Sequence, residues 1–205
     1  MINLLKTREQ KLIDKLSNQL TSGMVESVSA LQNEIMISFP ARVIAITSLD
    51  NDNISSLFGK IFSESFSTCG ENTLIIDAIL NNPFLRNLFE FTTENDSAIV
   101  TENYTQLPIS KTLSMICFNK SFYSALSLSK DIIGHIINSN NNSFSRFVIL
   151  IPSVIKRSDI LLFKGIIDSV ILVTAKSITK KKEVFDAIRF FDTNNLPLAK
   201  VVLLK

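Results

Sequence analysis

Apolar residues recur along this chain with two periods. Six short runs rich in β-branched residues read as strands: RVIAITS at 42–48, NTLIIDA at 72–78, KTLSMICF at 111–118, FVILI at 147–151, DSVILVTA at 168–175 and VVLLK at 201–205. The FVILI run has no polar interruption, as expected of a central parallel strand covered on both faces. Between the runs the spacing changes to three and four residues. It predicts helices over 55–68, with Leu57, Phe58, Ile61, Phe62 and Phe66 apolar, and over 124–138, with Ile132, Ile133, Ile136 and Ile137 apolar. A further helix over 179–193 turns Val184, Ile188 and Phe191 inward, and shorter ones follow Pro83 and span 158–165.

Two helices precede the first strand, and residues 1–36 read as a helical region within a single domain over 1–205. Residues 4–20 carry Leu5, Leu12 and Leu16 on one stripe, and 24–36 carry Val28, Leu31 and Ile35. Thr21-Ser22-Gly23 separates them. The stretch 91–110 is polar and irregular and reads as surface loops. Strands alternating with helices at this spacing specify βαβ units: an α/β fold with a mainly parallel sheet and helices on both faces.

Composition narrows the function classes. The chain has 205 residues, 46% apolar, and fifteen Phe against two Tyr and no Trp, which suits a dry core. Twenty-one Lys and Arg against nineteen Asp and Glu leave a net charge of +2, too small for a nucleic-acid binder. Two cysteines, Cys69 and Cys117, and one histidine, His135, lack zinc-ligand spacing. His135 sits in an apolar helical stretch and reads as a satisfied core residue. No apolar run approaches membrane-spanning length, and the charged start MINLLKTREQKLIDKL is unlike a signal peptide, so a cytoplasmic location is expected.

In an open parallel sheet, ligands collect beyond the carboxyl ends of the strands. After the first strand the chain reads SLDNDNISSL at 48–57. A phosphate cradle needs glycines, a lysine for the β and γ phosphates and a hydroxyl for magnesium. Here there is no Gly and no Lys, and Asp50 and Asp52 would repel a triphosphate. Ser55 and Ser56 offer hydroxyls at a helix terminus that favours anions. Asp77 ends the second strand, and Asp159 follows the strand at 147–151 as ligand group or helix cap.

These residues resemble the bacterial tyrosine kinases of capsule and exopolysaccharide synthesis, which share the deviant P-loop ATPase fold of septum-site and partition ATPases. Thr47-Ser48 matches the family's opening, and its P-G-E-G-K-S-T loop falls on Asn51, Asp52, Asn53, Ile54, Ser55, Ser56 and Leu57. Both glycines and the lysine are replaced, while Ser56 keeps the magnesium-position hydroxyl. LIIDAILNNP at 74–83 is similar to the second motif, with Asp77 and Pro83 kept and Ile79 and Asn81 in the places of an aspartate and an arginine. The I-I-D-T-P-P motif is met around ILIPSV at 149–154, in the register that puts Leu150 in the aspartate place and retains Pro152, with Asp159 matching a downstream aspartate. ILVTAKSITKKKEV resembles a late segment, with Thr179 in its threonine place. The family's ring-forming E-x-x-R-x-x-R helix meets Glu26, Ser29 and Gln32, and its tyrosine-rich tail has no counterpart, the tyrosines being Tyr104 and Tyr123.

The resemblance implies a kinase fold with its chemistry removed. It points to a non-catalytic scaffold or regulator of a polysaccharide synthesis or export system. Such a protein would bind a membrane co-polymerase adaptor or an active kinase, and would lie against the inner face of the membrane through that partner. No cofactor and no nucleic acid are expected, and homo-oligomerisation is left open. The alternative is a divergent ATPase or tyrosine kinase that binds ATP and magnesium through Ser55 and Ser56, with Ser56 and Asp77 at the metal and Asp77 and Asp159 in catalytic places. The exposed part of the 4–36 helices and the Lys180–Lys182 cluster are candidate contact surfaces.

Overall fold

Parallel neighbours cannot be joined by a tight turn, so each strand run must be followed by a crossover, and the chain's alternation meets that need. The computed structural model describes residues 28, 30–34, 41–49, 51–79, 84–89, 98–119, 130–154, 158–175 and 179–204. Among them are strands β1 (Val43–Ser48), β2 (Thr73–Asp77), β3 (Ile99–Val100), β4 (Tyr104–Pro108), β5 (Leu113–Phe118), β6 (Arg146–Leu150), β7 (Ser169–Ala175) and β8 (Leu198–Leu204). They form one sheet in the order β3-β4-β5-β2-β6-β1-β7-β8. The pairs from β5 to β8 are parallel, and β3 and β4 add an antiparallel edge. The expected mainly parallel α/β architecture is the observed one.

Helices cover both faces. On one side α1 (Asp52–Thr68) and α2 (Phe84–Leu88) pack on Ile44, Ile46, Ile75, Val148 and Leu150. The i, i+4 spacing of Phe58, Phe62 and Phe66 lines their rings along α1, with centroids 5.7 and 5.0 Å apart. On the other side α3 (Lys130–Ser139), a 3-10 turn (Ser158–Phe163) and α4 (Lys181–Thr193) cover Ala45, Leu74, Phe147, Ile149 and Leu172. Neighbouring positions along each strand thus feed opposite cores, which is why the central runs have no polar alternation.

Several readings need correction. Residues 98–110 are not loops throughout, because β3 and β4 lie there. Only Leu107 of β4 is buried, so an edge strand with one apolar anchor leaves almost no periodic signal. Helix α1 starts at Asp52 rather than near 55, and β8 starts at Leu198 rather than 201. His135 is exposed, because Ile133, Ile136 and Ile137 take the buried face of α3. In α4 the fully buried residues are Ala187 and Phe191, while Val184 and Ile188 are half-buried. Of the N-terminal helices, 4–20 and most of 24–36 lie outside the described residues, as do Pro83 and the first part of the 124–138 helix. Residues 30–34 are helical, with Val28 buried in the α1-side core and Glu34 ion-paired to Lys200.

One contact sets how closely α1 lies on the sheet. Gly59 faces Leu150 at the end of β6, and a Cβ at Gly59 would come 2.3 Å from the Leu150 Cδ2. Leu150 is fully buried and has nowhere to go without disturbing packed neighbours. Gly59→Ala should therefore destabilise the protein by about 1–2 kcal/mol, the cost of overpacking exceeding the gain in helix propensity. Leu150→Ala alone should cost about 2–5 kcal/mol. In the Leu150→Ala background Gly59→Ala should become stabilising, because the added methyl fills the space left behind. Urea unfolding of the four proteins checks this change of sign.

Candidate functional site

The candidate site lies where β1, β6 and β2 end. Only Leu49, Asp50 and Asn51 separate β1 from α1, and Asp50 lies outside the described residues. Asn51 is the N-cap: its Oδ1 accepts the Asn53 N–H at 2.9 Å and its carbonyl accepts the Ile54 N–H at 3.1 Å. Backbone donors that a phosphate could use are thus engaged at the start of the helix. The first helical turn, Asp52 to Ile54, occupies positions that a wrapping loop would need.

The serine hydroxyls are engaged as well. Ser55 Oγ and Ser56 Oγ each donate to the Asp52 carbonyl at 2.9 Å, and both side chains are buried. Ser48 Oγ donates to the Asn51 carbonyl at 2.7 Å, and Thr47 Oγ1 to the Pro152 carbonyl at 2.9 Å. The Asp52 carboxylate accepts the Ser153 N–H at 2.7 Å, tying the start of α1 to the chain leaving β6. In sequence Asp52 reads as a repulsive charge within an Asx-rich turn that caps a helix. Nothing in its neighbours in sequence announces a partner 101 residues away. Next to that bond the buried Ser153 Oγ has no hydrogen-bond partner among the described residues, as is also true of Ser63 and Ser169.

Strand register brings Asp77 into this group. Asp77 stands opposite Cys117 of β5 on one side and Leu150 of β6 on the other. Both row-mates belong to the α1-side core. Burial in these surroundings lifts the Asp77 carboxyl from 3.8 to about 7. The Ile79 N–H, donating to Oδ1 at 3.1 Å, and the charge of Arg86 pull it down, and Asp52 pushes it up. Arg86, on α2, was not singled out from sequence; the resemblance puts its arginine at Asn81, outside the described residues. Burial, and secondarily Asp77, raises the Cys117 thiol to about 12, which keeps it protonated and unreactive.

The structure therefore brings Ser55, Ser56 and Asp77 to one end of the sheet. Asp159 falls within the 3-10 turn, but its side chain lies outside the described residues. Thr179 closes the end of β7, its N–H donating to the Ala175 carbonyl at 2.9 Å. Among the described residues no group of three or more His, Cys, Asp or Glu is placed to hold a metal ion. At the start of α1 the Ser48, Ser55 and Ser56 hydroxyls bond the chain's own carbonyls.

No family model and no curated protein matches the chain. Solved structures do. The chimerical protein CapA2B2 aligns over 92% of this chain and 87% of its own, at 19% identity and a TM-score of 0.72. The kinase domain of the Escherichia coli tyrosine kinase ETK aligns over 87% and 74%, at 16% identity and a TM-score of 0.72. The chain has the fold of bacterial tyrosine kinase domains. The MinD cell division protein of Aquifex aeolicus shares the same P-loop NTPase-like arrangement at a TM-score of 0.59, with 16% identity over 80% of this chain and 70% of its own. Among the described residues no helix is long and apolar enough to cross a membrane.

Asp77 supplies a pH prediction. Its folded pKa lies above the unfolded value, so between about pH 4 and 7 the folded state holds a proton that the unfolded chain has released. Stability must then fall as pH rises through that window, by at most about 4 kcal/mol, and stay low above it. Asp77→Asn keeps an acceptor for the Ile79 N–H and removes the ionisation. It should be more stable than the parent at pH 8 and close to it at pH 4. Urea unfolding across pH 4–8 compares the two slopes.

Proposed function

We propose that this chain is a non-catalytic relative of the capsule and exopolysaccharide tyrosine kinases. In this reading it serves as a scaffold or regulator and binds a membrane co-polymerase adaptor or an active kinase of the same system. The observation that carries the proposal is the start of α1. Positions where a triphosphate requires free converging N–H groups and a cation hold a self-capped helical turn, two back-bonded serines and Asp52. Leu150 supports the same reading. An alkyl group packed against Gly59 can neither ligate magnesium nor orient its water. The kinase-domain fold supports the assignment to such a system, and the folded core leaves the outer surface available for a partner.

A second reading is a divergent ATPase or tyrosine kinase using ATP and magnesium. It is favoured by the retained Asp77 at the strand end, by the Ser56 hydroxyl, and by the buried hydroxyl of Ser153, unpartnered among the described residues, a residue whose N–H meets Asp52. Ser55 would then assist at the phosphates and Asp159 at the reacting groups.

Titration with a fluorescent ATP analogue, with and without magnesium, separates the two. The scaffold reading expects no saturable complex up to millimolar nucleotide. A magnesium-dependent complex weakened at least about tenfold by Ser56→Ala or Asp77→Asn would establish the second reading instead. The partner is tested by size-exclusion chromatography with the co-polymerase and the kinase encoded nearest to this chain's gene. Comigration with one of them is expected, and comigration with neither would overturn the scaffold.

A further inference from the structure

The sheet edge at β8 carries a combination of residues that the site at β1 does not use. A cleft of about 400 Å3 lies between α4 and β8, lined by Val184, Phe185, Ile188, Leu203, Lys181 and two threonines. Phe185 and Leu203 are 53% and 51% exposed at its rim. Lys180 is the N-cap of α4, and Lys181 and Lys182 are its first two residues. All three are exposed, and the Lys181 ammonium sits 5.7 Å from the centre of the Phe185 ring.

Three lysines are the wrong residues for this position if the helix alone decides. An N-cap side chain should accept hydrogen bonds from the first turn, and an ammonium has no acceptor. The N-terminus is also the positive end of the helix dipole, where cations are disfavoured. Within the helix Glu183 compensates in part, its carboxylate accepting the Lys180 N–H at 2.8 Å. Asp186 adds one exposed carboxylate on the next turn, and Arg189 follows it with another cation. Such a local misfit is expected where something outside the domain provides the compensating charge.

We propose that this rim docks on an anionic lipid surface. Phe185 and Leu203 enter the boundary between headgroups and acyl chains, and Lys180, Lys181 and Lys182 meet the headgroup phosphates. Cations beside exposed aromatic and aliphatic side chains are the pattern that holds proteins at a membrane interface. The rim brings that pattern together, with Lys181, Phe185 and Leu203 lining one cleft. This inference is independent of whether the site at α1 takes nucleotide.

Cosedimentation of the full chain with vesicles tests it. Phosphatidylcholine vesicles containing one third phosphatidylglycerol should bind the protein at least about tenfold better than pure phosphatidylcholine, and added salt should reduce the difference. The double change Lys181→Glu and Lys182→Glu should remove the preference, and Phe185→Ser should weaken binding to both vesicle types. Leu203→Ser serves in place of Phe185→Ser if the latter fails to melt cooperatively. Ile99→Ser, on the exposed opposite edge, should change nothing. No anionic preference, or one that survives the lysine changes, would overturn the proposal. Indifference to vesicles together with binding to an acidic protein would do the same and assign the rim to a protein partner.

Discussion

The approach of α1 to the sheet rests on a single missing side chain. Gly59 leaves room for Leu150, and Leu150 fills it. A helix held this close buries Phe58, Phe62 and Phe66 against the strands, and these are among the largest fully buried side chains of the domain. The same closeness places the first turn of α1 within reach of the chain leaving β6, where Asp52 accepts the Ser153 N–H. Packing in the middle of the helix and hydrogen bonding at its start therefore support one geometry.

That geometry decides the electrostatics of the sheet's carboxyl end. Leu150 and Cys117 flank Asp77 in the strand register, and burial there outweighs the Ile79 N–H and the Arg86 charge that favour the ionised carboxylate. Asn51, Ser55 and Ser56 meanwhile satisfy the helix start from within.

The chain's patterning made the centre of the fold legible. RVIAITS, NTLIIDA, KTLSMICF, FVILI and DSVILVTA all fall on strands, because buried parallel strands are continuous apolar runs. The edge was illegible for the opposite reason. β4 buries Leu107 alone, and the side chains of β3 are exposed, so neither carries a burial pattern. His135 was misplaced because a helix that is apolar on average still has an outer face, and the phase of Ile133, Ile136 and Ile137 decides it.

Sequence by itself determined the βαβ architecture and the identity of the residues at the end of β1, since both follow from local pattern and residue type. It also exposed the lysines at the start of α4, whose misfit is a matter of helix chemistry. Only the tertiary structure decided which of these groups meet. The bond between Asp52 and Ser153 and the row of Cys117, Asp77 and Leu150 join residues far apart in the chain. Such pairings depend on strand order and register, and these are set by how the whole sheet buries its two faces.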